Sequence, residues 1–418
     1  MIKLSLDFVR GQFPAFSEPS LRDWVFFDNA GGSYACRYVI WRLHRYYRER
    51  KVQPYAPYPA SERAGEEMDE ARRRMARVLG VDASELCFGP STTANVYVMA
   101  QAFRDWLRAG EAIVVTNQDH EANTGAWRRL AQYGVEIREW RIDPETGHLD
   151  LDDLVPLLED GKVRLVCFPH CSNVVAEIND VARICRLVRR AGAYSCVDGV
   201  SYAPHGLPDV GRLGADIYLL STYKTYGPHL GLMTVRKSLA ERLPNQAHFF
   251  NGDTPAKRFT PAGPDHAQIA ASGGIADYID ALYHHHSKAG RDVSGRAAVI
   301  AEAMRAREIA LTGPLLEYFE TRPDLRLLGP RTARGRAPTF ALDLGQPAKP
   351  VARALAERGI MCDGGDFYAV RPLEAMGVDP NHGVLRLSFV HYTSEEDIAR
   401  LIRALDDKLP KLSSPRAP

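Results

Sequence analysis

The chemistry in this chain is concentrated in three short segments. In Asp216-Ile217-Tyr218-Leu219-Leu220-Ser221-Thr222-Tyr223-Lys224-Thr225-Tyr226-Gly227-Pro228 an apolar run ends in hydroxyl residues and one lysine, and a Gly-Pro turn follows. A lysine just past a buried strand end is partly desolvated, which lowers its pKa and makes it a competent amine nucleophile. Lysine is scarce here, 10 copies against 43 arginines, and most of the others stand in plainly exposed contexts. Twenty-six residues upstream, Tyr194-Ser195-Cys196-Val197-Asp198-Gly199-Val200-Ser201 carries a second apolar run into an acid. A carboxylate there is placed to hold a cationic ring nitrogen, and it serves equally as a turn or capping residue. The third segment, Phe88-Gly89-Pro90-Ser91-Thr92-Thr93-Ala94-Asn95, joins a strand pattern to a helix pattern. A glycine and three hydroxyls at a helix N-terminus suit a phosphate, and they also suit plain N-capping.

The elements that must position these residues are readable from periodicity. Between about 66 and 236, apolar strand runs at 85–88, 112–116, 135–140, 163–168, 193–197, 216–220 and 232–235 alternate with amphipathic stretches such as 93–107, 121–132 and 181–190. Strands alternating with helices predict βαβ units, a mostly parallel sheet and right-handed crossovers. In such a sheet ligands bind outside the carboxyl ends of the strands, where Asp198 and Lys224 fall. Residues 237 to about 290 break the rhythm. A helix over about 292–320 follows, then strands at 338–344, near 360 and at 384–389, a helix at 351–358 and a closing helix from 395. The expected division is a large domain over 25–290 and a smaller α/β domain built from 1–24 and 291–418, with a frayed tail at 412–418.

With 418 residues, 45% apolar and 25% charged, the chain has ordinary globular composition. A net charge of +1 argues against a nucleic-acid footprint, and no run approaches 18 consecutive apolar residues. An early acid and arginine do not suit a secretory signal. Seven cysteines, an odd number spread through apolar runs, read as reduced thiols in a cytoplasmic protein. The run His284-His285-His286 lies in a helical pattern, where successive side chains diverge by about 100°, so a solvated face is expected and not a chelate. Cys167-Phe168-Pro169-His170-Cys171 has no second ligand pair at zinc spacing, so no metal is expected.

Taken in this order and spacing, the three segments resemble the class V aminotransferase family of pyridoxal phosphate enzymes, in its cysteine-desulfurase-like branch. The resemblance runs from Gln12-Phe13-Pro14 through Phe27-Asp28-Asn29-Ala30-Gly31-Gly32-Ser33 to Leu385-Arg386-Leu387-Ser388. It implies an α/β fold of type I, a homodimer with sites at the subunit interface, and a small amino acid as substrate. It implies a Schiff-base lysine at Lys224, a ring-nitrogen partner at Asp198 and phosphate contacts at Thr92, Thr93 and Ser221. The family's ring-stacking histidine falls on His120, its asparagine to the phenolic oxygen on Asn173, and its substrate-carboxylate arginine on Arg386. Asn29, Ala30 and Gly31 match the loop on the substrate side.

The departures bear on the reaction. The glutamine three residues after the aspartate is Ser201, and the histidine before the lysine is Tyr223. The threonine that one subunit lends to its neighbour has no match in Ala262-Gly263-Pro264-Asp265-His266. The loop that carries a desulfurase's nucleophilic cysteine corresponds to Gly364-Gly365-Asp366-Phe367-Tyr368-Ala369, which has no thiol. Tyr368 is expected on the substrate side, able to act as an acid but not to form a persulfide. The expected outcome is Cβ–S cleavage without a persulfide, with transamination, epimerisation and a catalytically idle cofactor-binding scaffold as alternatives.

Overall fold

In a computed structural model, which describes residues 2–263 and 265–409, the strand runs form one seven-stranded sheet. Its strands are β1 (Leu86–Gly89), β2 (Ala112–Thr116), β3 (Glu136–Trp140), β4 (Val163–Pro169), β5 (Tyr194–Asp198), β6 (Ile217–Ser221) and β7 (Gly231–Val235). Their spatial order is β1-β7-β6-β5-β4-β2-β3. Pairs β6–β5, β5–β4, β4–β2 and β2–β3 are parallel, and β7 runs antiparallel to both β6 and β1. The reversal follows from the short Gly227-Pro228 connection, which is too brief for a crossover helix. All five residues of β2, β6 and β7 are buried, as expected for strands covered on both faces. The expected α/β architecture with a mostly parallel central sheet is therefore borne out.

The helices that cover the sheet were only partly legible. Helices α1 (Arg37–Glu49) and α2 (Pro59–Val78) precede β1, and α3 (Thr92–Trp106) and α4 (Val181–Arg190) stand where their amphipathic patterns put them. The stretch 121–132 is not one helix. It is a 3-10 turn (Glu121–Asn123), one turn of α-helix (Gly125–Arg128) and a second 3-10 turn (Arg129–Tyr133). Thr124 leaves helical geometry at φ −130°, and Asn123 is held by Asp119 and by the Trp127 indole instead of joining a helix surface. Within 237–290, where the periodicity lapsed, lies α5 (His266–His286). It is apolar nearly all round because it packs between α1 and α2, so it carries no stripe.

Helix α6 (Val293–Glu320) ties two cores together. Ile300 and Met304 pack into the core of the large sheet, while Leu311, Leu315 and Phe319 pack into a second core. That second core lies on a four-stranded antiparallel sheet of β8 (Arg326–Leu327), β9 (Thr339–Asp343), β10 (Asp363–Gly365) and β11 (Val384–Ser388), ordered β10-β11-β9-β8. Val25–Phe26 pairs in parallel with Ile360–Met361, and Val25 and Phe27 belong to the second core. The histidines that close α5 are more than a solvated face: His285 stacks on Phe8 at 3.7 Å, and His286 accepts a bond from the Ser5 amide at 2.8 Å. The run Leu412–Pro418, expected to fray, lies outside the described residues. No helix of the described residues is long and apolar enough to cross a membrane.

One close approach sets the geometry of the helix start at Thr92. A Cβ on Gly231 would lie 2.4 Å from the Ser91 carbonyl carbon, so β7 reaches α3 only because that position is glycine. Gly231→Ala is expected to destabilise the protein by about 1–3 kcal/mol through overpacking. By contrast Gly313, inside α6, has open space around its missing Cβ, and Gly313→Ala is expected to stabilise by roughly 0.5–1 kcal/mol. Urea unfolding of the two variants measures both signs, and equal midpoints would refute the packing argument.

Candidate active site

The carboxyl ends of β4, β5 and β6, the start of α3 and the strand β11 surround a cavity of about 670 Å³. Thr92, Thr93, His120, Asn173, Asp198, Ser201, Ser221, Tyr223, Lys224, Arg386, Ala30, Gly31 and Tyr368 all line it. Asn29 does not. Its amide is turned into the wall, where it donates to the Tyr392 hydroxyl, and it is 1% exposed. It thereby braces the loop on which Ala30 and Gly31 stand, and Ala30 N–H donates to Ser388 Oγ at 2.8 Å.

Lys224 lies on a 3-10 turn directly after β6 and is 7% exposed. Burial pushes its amine down to about 8, helped by the positive charge of Arg386 and opposed by Asp198 and Asp28. Asp198 ends β5 one strand away, and the Val200 amide donates to its carboxylate at 2.8 Å. Burial pushes Asp198 up to about 6, against the pull of Val200 N–H and Lys224. Behind it His170 stacks on Tyr202 at 3.6 Å and bonds the Tyr218 hydroxyl at 2.9 Å, which holds the end of β5 in place. Asp119, buried on the same cavity, is also raised by burial and by Asp198, while Asn123 and the His120 amide stabilise its charge.

At one end of the cavity the Thr92 and Ser221 hydroxyls meet at 2.8 Å at the N-terminus of α3. Ser91 caps that helix, accepting from Ala94 N–H at 3.1 Å, and Thr93 is exposed beside it. Free amides and hydroxyls facing a cavity are what an anion requires. Tyr223, in the wall next to them, lies flat on His229 with ring centroids 4.8 Å apart. At the other end Arg386 is buried, with Phe367 flat on its guanidinium at 3.7 Å and Asp28 at 3.3 Å from Nη2. Among the described residues Arg386 Nε has no partner, and neither does the buried Oδ1 of Asn173. Between the ends stands His120, whose Nδ1 accepts from Ala122 N–H at 3.0 Å. Burial, with Lys224 and Arg386 nearby, drives its ring down to about 3, so it stays neutral. Its ring meets Tyr368 at 5.5 Å.

These residues fit pyridoxal phosphate. There is a hydroxyl-lined helix start for a phosphate, a buried carboxylate for a ring nitrogen, an unpartnered Asn173 oxygen, a neutral aromatic ring and a desolvated amine. Asp28, Asp119, Phe367 and His229 also line the cavity and were not singled out from sequence. For Asp28 and Phe367 a signal existed, since both sit within segments already marked.

The loop with no thiol is a tight turn. Phe367 and Tyr368 both take left-handed backbone, φ 53° and 55°. The Phe367 carbonyl accepts from Asn173 Nδ2 at 3.0 Å, the Tyr368 carbonyl accepts from Glu121 N–H at 2.9 Å, and Arg371 pairs with Glu121 at 3.1 Å. Cys171 also lines the cavity, but its thiol donates to the Ser172 and Ala176 carbonyls at 3.5 Å, and burial pushes it up to about 12. Cys362 is raised to about 12 by burial and by Asp28 and Asp363.

Comparison with known proteins agrees with this geometry. A family model described as Aminotransferase class-V matches residues 25–258 and 296–401. The chain is 31% identical to the aminotransferase-like protein FGM3 of Gibberella zeae over 415 residues, covering 96% of this chain and 98% of that protein. It is 29% identical to a cysteine desulfurase of Serratia proteamaculans, over 95% of this chain and 96% of that one. The apo structure of a cysteine desulfurase from Thermococcus onnurineus superposes with a TM-score of 0.84 at 21% identity, covering 97% and 98% of the two chains.

The desolvation of Lys224 is directly measurable. In cofactor-free protein its labelling by an amine-directed reagent is expected to rise with pH to a half-point near 8 and then level off. A free lysine side chain in water keeps gaining toward roughly 10.4, because only the neutral amine reacts. Peptide mass spectrometry across a pH series reads the site, and a half-point near that of a free lysine side chain would refute the desolvation.

Proposed function

The chain belongs to the class V aminotransferase family of pyridoxal phosphate-dependent enzymes, and from that premise we propose that it cleaves the Cβ–S bond of a small amino acid and releases the sulfur as a free small molecule. When bound, the cofactor supplies the electron sink that makes deprotonation at Cα possible. Lys224, whose amine burial keeps close to neutral, would hold the cofactor and would serve as the base that takes the Cα proton. Asp198 would face the ring nitrogen and favour its protonated form, His120 would pack on the ring, and Asn173 would bond the phenolic oxygen. Thr92, Thr93 and Ser221 would hold the phosphate, with Ser201 and Tyr223 on the same cavity. Arg386 would take the substrate carboxylate, with Ala30, Gly31 and Tyr368 around the substrate.

The observation that carries this reading is the state of the thiols and of the turn that replaces a desulfurase's cysteine loop. A persulfide enzyme needs a thiolate on a loop able to move over the substrate. Here that position is the Phe367–Tyr368 turn, tied down through Asn173, Glu121 and Arg371. The cavity's own thiol, Cys171, is protonated and bonded to two carbonyls. The enzyme works as a homodimer, a reading supported by the exposed aromatics Trp41, Tyr47 and Tyr97, the last of them on the cavity rim. Seven free cysteines support a cytoplasmic setting.

After incubation with cysteine and before any reductant, intact-protein mass spectrometry is expected to show no added sulfur, while sulfide, pyruvate and ammonia accumulate. A one-sulfur gain lost in Cys171→Ser or Cys362→Ser would restore a desulfurase. Arg386→Lys is expected to raise KM roughly 10- to 100-fold, about 1.5–3 kcal/mol for a lost charged hydrogen bond, while the cofactor's absorption is unchanged. A parent-like KM would move the carboxylate site elsewhere.

A further inference from the structure

Arg386 already has a carboxylate on it. Asp28 Oδ1 lies 3.3 Å from Arg386 Nη2, and Asp28 lines the cavity beside Ala30 and Gly31. Its side chain is one-third exposed toward that space and folds back over the Gly31 turn, where a Cβ on Gly31 would lie 2.9 Å from Asp28 Oδ2. Of the groups facing it, Arg386 and Lys224 favour its charge and Asp363 opposes it. Asp363 is itself occupied, accepting from Lys349 at 2.5 Å and from the Gly364 amide at 2.7 Å.

We propose that Asp28 is the general acid of the elimination: the substrate carboxylate displaces it from Arg386, and the released carboxyl group protonates the departing sulfur. The assignment rests on the Cβ–S cleavage reading. The displacement supplies its own timing. With the guanidinium engaged by the substrate, the main charge that stabilised ionised Asp28 is neutralised, while its burial, which already raises its proton affinity, remains. The carboxyl group therefore takes up a proton from solvent when substrate is bound.

The step balances. Lys224 takes the Cα proton, the Cβ–S bond breaks with both electrons leaving on sulfur, and the Asp28 proton completes hydrogen sulfide. The remaining enamine carbons react with water to give pyruvate and ammonia, and the Lys224 proton returns to solvent. The other acids on the cavity are less suited. Glu121 is paired with Arg371, Asp119 is bonded to Asn123 and the His120 amide, and Tyr368 is 73% exposed at the rim.

The test compares the parent holoenzyme with Asp28→Asn on cysteine and on β-chloroalanine. Chloride leaves without a proton, whereas sulfur leaves far better with one. The ratio of the cysteine rate to the β-chloroalanine rate is expected to fall about 100-fold or more in Asp28→Asn, the usual size of a lost general acid. Binding of alanine, which cannot eliminate, provides a readout independent of turnover. Its Kd is expected to stay level or to fall, because Asp28→Asn no longer competes as an anion for Arg386. An unchanged ratio, or a weakened alanine Kd that accounts for the lost rate, would overturn the assignment and leave Asp28 a positioning residue. A parent that eliminates from neither substrate would instead sink the elimination reading, and Asp28's role with it, so the two failures are told apart by the parent alone.

Discussion

Burial of the Lys224 amine is the constraint around which the cavity is organised. An ammonium taken out of water loses its hydration, and the protein answers partly by favouring the neutral amine and partly by facing it with carboxylates on two sides. Asp198 comes from β5 and Asp28 from the loop after Val25–Phe26. Arg386 pulls the other way, lowering the amine's affinity for its proton. The balance of these three leaves a nucleophile usable near neutral pH at the end of a strand that is otherwise wholly buried.

That balance holds only if two sheets keep their distance, since Lys224 follows β6 and Arg386 lies on β11. A buried polar joint maintains it. His391, just beyond β11, bonds the Tyr278 hydroxyl at 2.6 Å and the Tyr226 hydroxyl at 3.3 Å, and burial drives its ring down to about 3. Arg307 of α6 donates to the His391 carbonyl at 2.8 Å, and the Tyr226 hydroxyl donates to the Pro204 carbonyl. Tyr226 lies two residues past Lys224, and Tyr278 is on α5. One cluster thus fastens the lysine turn, the arginine strand and both long helices. A network of this kind sustains a unique arrangement because every broken bond leaves a buried polar group unpaired.

The turn over the carboxylate end adds the shape of the site. Two successive residues with side chains in left-handed backbone are unfavourable by themselves. The contacts that compensate are the ones that define the site: the Asn173 amide on the Phe367 carbonyl, the Glu121 amide on the Tyr368 carbonyl and the Phe367 ring on Arg386. The guanidinium is in this way covered by the Phe367 ring, with Asp28 at its Nη2.

The residues that could do chemistry, the order of the strands carrying them and the family were legible without coordinates, because strand periodicity and strand-end residues are local features. Lys224, Asp198 and Ser221 converge for that reason, as carboxyl-end residues of the neighbouring parallel strands β5 and β6 must, while Thr92 reaches them from the start of α3, across β7. Helix α5 was legible only at its closing histidines, since a helix buried nearly all round has no polar face to mark its period. Nor was the broken geometry at 121–133, which depends on Asp119 capturing Asn123. The sequence places Asn29 on the substrate-side loop, and only packing shows its amide turned to Tyr392. The pairing of Asp28 with Arg386, 358 residues apart in sequence, belongs wholly to the tertiary structure. An interaction between two side chains from separate sheets leaves no periodic trace in either segment, so its existence, and the proton chemistry it allows, is decided only when the two sheets meet.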